Sequence, residues 1–161
     1  MTDDRSLSIV VLPRQARLDK LVTVLPVAQM QRHAGVELLA LAVEVYTAGW
    51  VITFQAQSHG AVPFINATPA LTLAVTDDHD NSYHCHAYGS TGEGAGNDWQ
   101  WRLAYRGTPA LAPQAHALHL VIATLTWMRP DVVTQQFVPV RTVVGPWQFA
   151  IALSASGTPA R

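Results

Sequence analysis

The stretch from Leu71 to Tyr105 constrains the fold more than any other part of the chain. Three of its segments alternate between larger apolar residues and smaller or polar ones: Leu71–Val75, Tyr83–Tyr88 and Asp98–Tyr105. This period of two is typical of half-buried β-strands. The acidic segment Asp77–Asn81 predicts a turn, because Asp and Asn side chains bond their own backbone. The glycine-rich segment Gly89–Asn97 predicts a loop, so the whole stretch predicts a three-stranded meander.

Short apolar segments elsewhere in the chain also predict strands. They are Leu7–Leu12, Val22–Gln29, Val36–Thr47, Trp50–Gln57, Leu118–Trp127, Val132–Val144 and Trp147–Leu153. Pro26 and Pro139 place two of these strands at sheet edges or at bulges, because proline donates no hydrogen bond to a neighbouring strand. Glu37–Ala42 has good helix propensity. A strand is favoured there because Leu39, Leu41, Val43 and Val45 keep the period of two.

Eight or nine short strands separated by turn-rich segments predict an all-β fold, an antiparallel two-sheet sandwich. An immunoglobulin-like arrangement is favoured, and a jelly roll is the alternative. The 161 residues, 49% of them hydrophobic, suit one domain with a proper core. We predict that this domain spans residues 22–153. Residues 1–21 would form an N-terminal tail or edge strand, and residues 154–161 a C-terminal tail.

The order of these segments resembles the immunoglobulin-like β-sandwich module of some uncharacterised bacterial proteins. Four segments carry the resemblance: Pro26–Gln29, Leu38–Phe54 around Gly49 and Trp50, Leu71–Asp77, and Ala117–Leu120 before Trp127. Together they cover the region from Val22 to Trp127. The resemblance implies an immunoglobulin-like fold, and it implies no particular activity, since fold alone does not fix function.

Charge and hydropathy bear on partners and location. The formal net charge of −1 gives no electrostatic basis for binding nucleic acid or an anionic membrane. Met1–Arg5 lacks the basic start and apolar core of a signal peptide. Glu44 interrupts the most apolar run, Val36–Tyr46, before it reaches membrane-spanning length. These features predict a cytoplasmic protein, and the single cysteine, Cys85, allows no intrachain disulfide.

His84 and His86 are the strongest candidates for metal ligands. Two residues apart on a strand, they project from one face, and neutral imidazoles bind Zn²⁺ or Cu²⁺. Asp78 and Asp80 lie in the preceding turn and could complete such a site. The alternative is a solvated strand face beside an acidic turn. The same alternation places Cys85 on the opposite, core face, as a structural thiol.

The chain contains no Ser-His-Asp arrangement and no nucleophile elbow, so we do not expect an enzyme. The favoured function is a non-enzymatic binding or assembly module that uses exposed strand edges and loops. Its partner would be another protein or a second copy of the chain. One alternative is a metal-binding protein that uses His84 and His86. Another is a carbohydrate-binding module, which requires Trp99 or Trp50 to form an exposed platform.

Overall fold

The computed structural model describes residues 19–59, 67–95 and 98–154. The predicted strand Leu7–Leu12 and residues 155–161 lie outside these ranges. All eight elements of the described residues are strands: β1 (Leu21–His33), β2 (Val36–Tyr46), β3 (Gly49–His59), β4 (Thr68–Asp77), β5 (Ser82–Ala95), β6 (Asp98–Thr108), β7 (Ala117–Pro130) and β8 (Phe137–Ala152). No helix among these residues is long and apolar enough to cross a membrane. The prediction of an all-β antiparallel fold is confirmed.

The strands form one curled sheet in the order β1-β2-β3-β6-β5-β4-β7-β8, with all neighbours antiparallel. Two separate sheets were predicted, whereas the structure has one continuous sheet. The short turn after β4 brings β5 back alongside it, and two register pairs, Val75–Tyr83 and Thr76–Ser82, join the sheet there. We call β1, β2, β3, β6 and β5 the five-strand half, and β4, β7 and β8 the three-strand half.

The two halves pack face to face around an apolar core. Phe54 of β3 contacts Phe149 of β8, with ring centroids 5.9 Å apart. Trp99 of β6 meets Trp127 of β7 edge to face at 4.7 Å. At the far side of the sheet the indole Nε1 of Trp147 donates to the carbonyl oxygen of Val36 at 3.2 Å. The curl therefore brings β8, at one end of the strand order, against β2 and β1 at the other.

Register shifts decide which residues face the core. Strict alternation in β7 would place Thr124 and Thr126 on the same face as Ile122. Relative to β4, which pairs Leu73 with Ile122 and Thr72 with Thr124, β7 contains one extra residue, and this reverses the alternation so that Leu125 and Trp127 are buried instead. This is a correction to the predicted pattern, and its cause is one extra residue in the strand. The segment Glu37–Ala42 is confirmed as strand, and a similar shift divides β2.

The prolines mark edge strands as predicted. β1, which contains Pro26, lies at one end of the strand order and has a register shift between Pro26 and Gln29. β8, which contains Pro139, lies at the other end. The segments Val132–Val144 and Trp147–Leu153, predicted as two strands, contribute to this single long strand.

The predicted glycine-rich loop is mostly strand. β5 continues to Ala95 and pairs with β6 throughout, with Gly92 opposite Trp101. A Cβ at Gly92 would lie 2.1 Å from Cδ2 of Trp101. Gly92 therefore makes room for the neighbouring indole inside a sheet, and its presence does not signal a turn. Gly96 and Asn97 of the predicted loop lie outside the described residues.

Candidate functional site

His84 and His86 are exposed on β5. His86 lies directly opposite Arg106 of β6, and directly opposite residues of an antiparallel pair share a face. Arg106 is only 9% exposed, and its Nε has no hydrogen-bond partner among the described residues. A fixed positive charge next to His86 disfavours a divalent cation. Binding of zinc or copper by His84 and His86 stays a prediction, and the position of Arg106 counts against it.

The ligand-type side chains that do converge lie in the turn between β4 and β5. Among the described residues, one group of three has its candidate ligand atoms within 4.8 Å of one another: Asp77, Asp78 and His79. Of the predicted metal ligands only Asp78 belongs to this group. Asp80 is exposed in the same turn, with φ at 60°. The structure thus groups Asp78 with its sequence neighbours and leaves both predicted histidines out of the group.

Asp77 is 1% exposed and holds the turn together. Its Oδ1 accepts hydrogen bonds from the backbone N–H groups of His79 at 2.9 Å and Asn81 at 3.0 Å. Its Oδ2 accepts from the Asn81 side-chain amide and from the Tyr83 hydroxyl, both at 2.8 Å. Burial by itself would raise the pKa of Asp77, but these four donors outweigh it and hold the pKa far below its ordinary range.

Asp78 ties the same turn to the segment before β7. Its Oδ1 accepts hydrogen bonds from the backbone N–H groups of His116 at 2.9 Å and Ala117 at 3.3 Å. The bond from His116 is the main reason that the pKa of Asp78 is lowered. Both carboxylates are therefore engaged by protein donors, and the acidic turn has a structural role.

We expect Asp77→Asn to lower the Tm at pH 7 by roughly 5–10 °C, because an amide cannot accept all four hydrogen bonds. The folded-state pKa of Asp77 is depressed. Its stabilisation is therefore complete above the unfolded-state value of about 3.9 and is lost as pH falls below that value. The Tm difference between wild type and variant should accordingly narrow below about pH 4.

Circular dichroism melts between pH 2 and pH 7 would measure both effects. Asp80→Asn is the matched control, because Asp80 is exposed in the same turn and Asn tolerates its positive φ. A Tm difference that stayed constant down to pH 2 would contradict the role assigned to the Asp77 carboxylate.

An apolar cleft lies where β4 and β5 diverge. Beyond Val75–Tyr83 the two strands share no register pair, and a cavity of about 630 Å³ opens between them. We call it the β4–β5 cleft. Its walls are residues 68–70 of β4 and 87–90 of β5, and residues 103–105 of β6 also line it. Met128 of β7 and Phe137 of β8 also line it, and none of the twelve lining residues that the structure describes carries a charge at neutral pH.

The cleft is open because several of the side chains that line it are small. Ala70, Ala87 and Ala104 line it, and a Cβ added at Gly89 would have no heavy atom within 4 Å. Tyr105 supplies a polar group, since its hydroxyl accepts the backbone N–H of Leu71 at 2.7 Å. Burial raises the pKa of Tyr105, so its hydroxyl stays neutral at physiological pH. The cleft can therefore hold an uncharged, largely apolar group.

The carbohydrate-binding alternative required an exposed tryptophan. Trp50 is fully buried and Trp99 is 5% exposed. Neither ring forms a platform, so these two residues give that alternative no support.

Cys85 is half-buried against the core, on the face predicted for it.

The β4–β5 cleft has almost no signature in the sequence. Its clearest trace in the sequence is the run from Ala87 to Gly89, where small residues stand on both sides of Tyr88. The side chains of Ala87 and Gly89 are too small to fill the space beside the strand. The run cannot show that the neighbouring strand diverges.

Comparison with known proteins gives information on fold. No protein-family model matches the chain, and no curated protein matches it. Among solved structures, the chain is similar to "the conserved domain protein from Bacillus anthracis", with a TM-score of 0.53 and 12% sequence identity. The match covers 84% of this chain and 48% of that one, so the chain spans about half the length of the similar protein. At this identity the likeness concerns the fold alone.

Proposed function

We propose that this chain is a non-enzymatic binding module whose ligand surface is the β4–β5 cleft. The observation that carries the proposal is a cavity of about 630 Å³ whose lining residues, as far as the structure describes them, are uncharged. Ligand sites are typically concave, mostly apolar and about 300–1,000 Å³ in volume. An ionised ligand would lose hydration there without gaining a partner charge, so the ligand is uncharged and largely apolar.

The chemistry beside the cleft supports binding over catalysis. Cys85 precedes Ala87 by two residues on β5, and burial raises the pKa of its thiol to about 11. The thiolate is the reactive form, so Cys85 is a weak nucleophile at neutral pH. The described residues that line the cleft include no cysteine, histidine, carboxylate or lysine that could act as a general base.

The predicted classification, partner and location of the protein are part of this proposal. Face-to-face packing of the five-strand and three-strand halves supports an immunoglobulin-like classification. The proposed partner is another protein or a second copy of this chain. A cytoplasmic location remains a prediction from the sequence.

A neutral apolar dye would test the proposal. We expect Nile red to bind the full chain saturably, with a blue-shifted emission, because the cleft offers a concave apolar surface. Gly89→Trp should raise the Kd about tenfold or more. The added ring would occupy free space, and the backbone of Gly89 has no positive φ that would strain it.

Ala74→Trp is the matched control, because it adds the same ring at an exposed position of β4 that does not line the cleft. Equal Kd values for the wild type and the Gly89→Trp variant would show that the dye binds elsewhere. That result would overturn the β4–β5 cleft as the ligand surface.

A further inference from the structure

We propose that the edge of β5 facing the β4–β5 cleft binds an extended, uncharged peptide segment as an added strand. The inference rests on the proposed function and names the class of ligand. β5 pairs with β6 from His84 to Ala95, but with β4 only at Ser82 and Tyr83. Past Tyr83 the second edge of β5 has no strand neighbour in the described part of the chain. Among the described residues, the backbone N–H and C=O groups that point to this edge have no hydrogen-bond partner past Tyr83, so they can pair with an added strand.

Within the described residues, three other strand edges are protected against such pairing, and the cleft edge of β5 is not. β1 contains Pro26, and β8 contains Pro139 and Pro146. The side-chain amide of Gln29 on β1 also donates to the carbonyl oxygen of Ala150 on β8 at 2.8 Å, so these two edges partly cover each other. Proline removes a backbone donor, which is a common way to prevent strand addition.

The cleft edge of β4 is protected in the same way. Pro69 has no N–H group, and the N–H of Leu71 is already bonded to the Tyr105 hydroxyl. β5 contains neither proline nor lysine between Ser82 and Ala95. Its register shift between Ala87 and Gly89 bends the strand but removes no donor. An added strand would therefore pair with β5 and only pack against β4.

The cleft determines which peptide fits. Residues 87–90 of β5 line it over about 13 Å, which matches an extended segment of about four residues. Alternate side chains of that segment would enter the uncharged cavity, so they must be apolar or neutral. A peptide backbone repeats its donors and acceptors at the spacing that β5 presents, whereas a compact apolar molecule does not. The unpaired backbone thus favours a peptide over a small apolar ligand.

Hydrogen exchange measured by NMR on the full chain would test this proposal. The probe is the capped peptide acetyl-Ser-Thr-Val-Thr-Val-Thr-Ser-amide, which is uncharged and prefers an extended conformation. At a peptide concentration about ten times its Kd, exchange should slow about tenfold at those amides of residues 85–92 that point away from β6. The same peptide with N-methylated valines and threonines should lose this protection, because the donors on both of its edges are blocked.

The variants separate the possible outcomes. Gly89→Trp should weaken binding of the peptide about tenfold, and Ala74→Trp should not. Equal binding of the N-methylated peptide, or no binding up to about 5 mM, would overturn strand addition. Nile red binding that still depended on Gly89 would then leave the proposed function standing. If the β5 amides became protected from exchange as protein concentration rose, without peptide, the added strand would come from a second copy of this chain. That result would overturn the proposal of an external peptide.

Discussion

Trp147→Ala should lower the free energy of unfolding by about 4 kcal/mol, the cost typical of truncating a large buried aromatic side chain. Trp147 is 1% exposed, and its indole N–H donates to the carbonyl oxygen of Val36. His33 of β1 also contacts the indole edge to face at 5.6 Å. The substitution would leave a cavity and an unpaired carbonyl where β8 meets β1 and β2. Urea denaturation followed by circular dichroism would measure the loss.

Two further variants would identify the cause of that loss. Trp147→Phe keeps most of the apolar volume but removes the N–H donor, and should cost about 1–2 kcal/mol. Val144→Ala, at a 66% exposed position of the same strand, should change stability by less than about 0.5 kcal/mol. A loss below about 1 kcal/mol for Trp147→Ala would contradict the role assigned to this indole in closing the sheet.

Gly107→Val should lower the free energy of unfolding by about 3 kcal/mol, the upper end of the usual cost of overpacking a core. A Cβ at Gly107 would lie 2.0 Å from Cε2 of Trp50. Trp50 is fully buried and meets Tyr83 edge to face at 5.9 Å, so its ring has little room to move. Thermal and urea unfolding of the two proteins would measure the difference.

Gly89→Ala is the matched control for this substitution. Both glycines stand in neighbouring strands, but an added Cβ at Gly89 meets nothing within 4 Å. That variant should lie within about 0.5 kcal/mol of the wild type or be slightly more stable, because alanine restricts the unfolded chain. Similar losses at Gly107 and Gly89 would show that backbone flexibility, and not contact with Trp50, explains the effect.

The strands were predictable from sequence because each buries one face. Alternation from Trp50 to Phe54 gives the core residues of β3, and prolines identify β1 and β8 as edges. The phase of alternation beyond a bulge was not predictable. The extra residue of β7 between Ile122 and Thr124 is defined by pairing with β4, and alanine at position 123 is not a residue type that marks a bulge. The continuity of the sheet likewise depends on two pairs between β4 and β5 that local pattern does not specify.

The candidate site was predictable only in part, for a related reason. The period of two places His84 and His86 on one face. The residue opposite His86 depends on the register between β5 and β6, which the predicted loop over Gly89–Asn97 concealed. The β4–β5 cleft is defined by the divergence of two strands, so it has no signature within either strand. The Asp77 turn was predicted as a turn, but burial of its carboxylate depends on Tyr83 and on the surrounding core.

The strand order also determines how this chain can fold. The five-strand half contains β1, β2, β3, β5 and β6, whereas the three-strand half contains β4, β7 and β8. The polypeptide thus crosses between the halves three times, and neither half is a continuous piece of chain. Pairing of β4 with β7 joins residues that are about fifty positions apart, as in Leu71 with Leu125. We expect such distant pairing to slow folding and to make unfolding an all-or-none event in which neither half persists without the other.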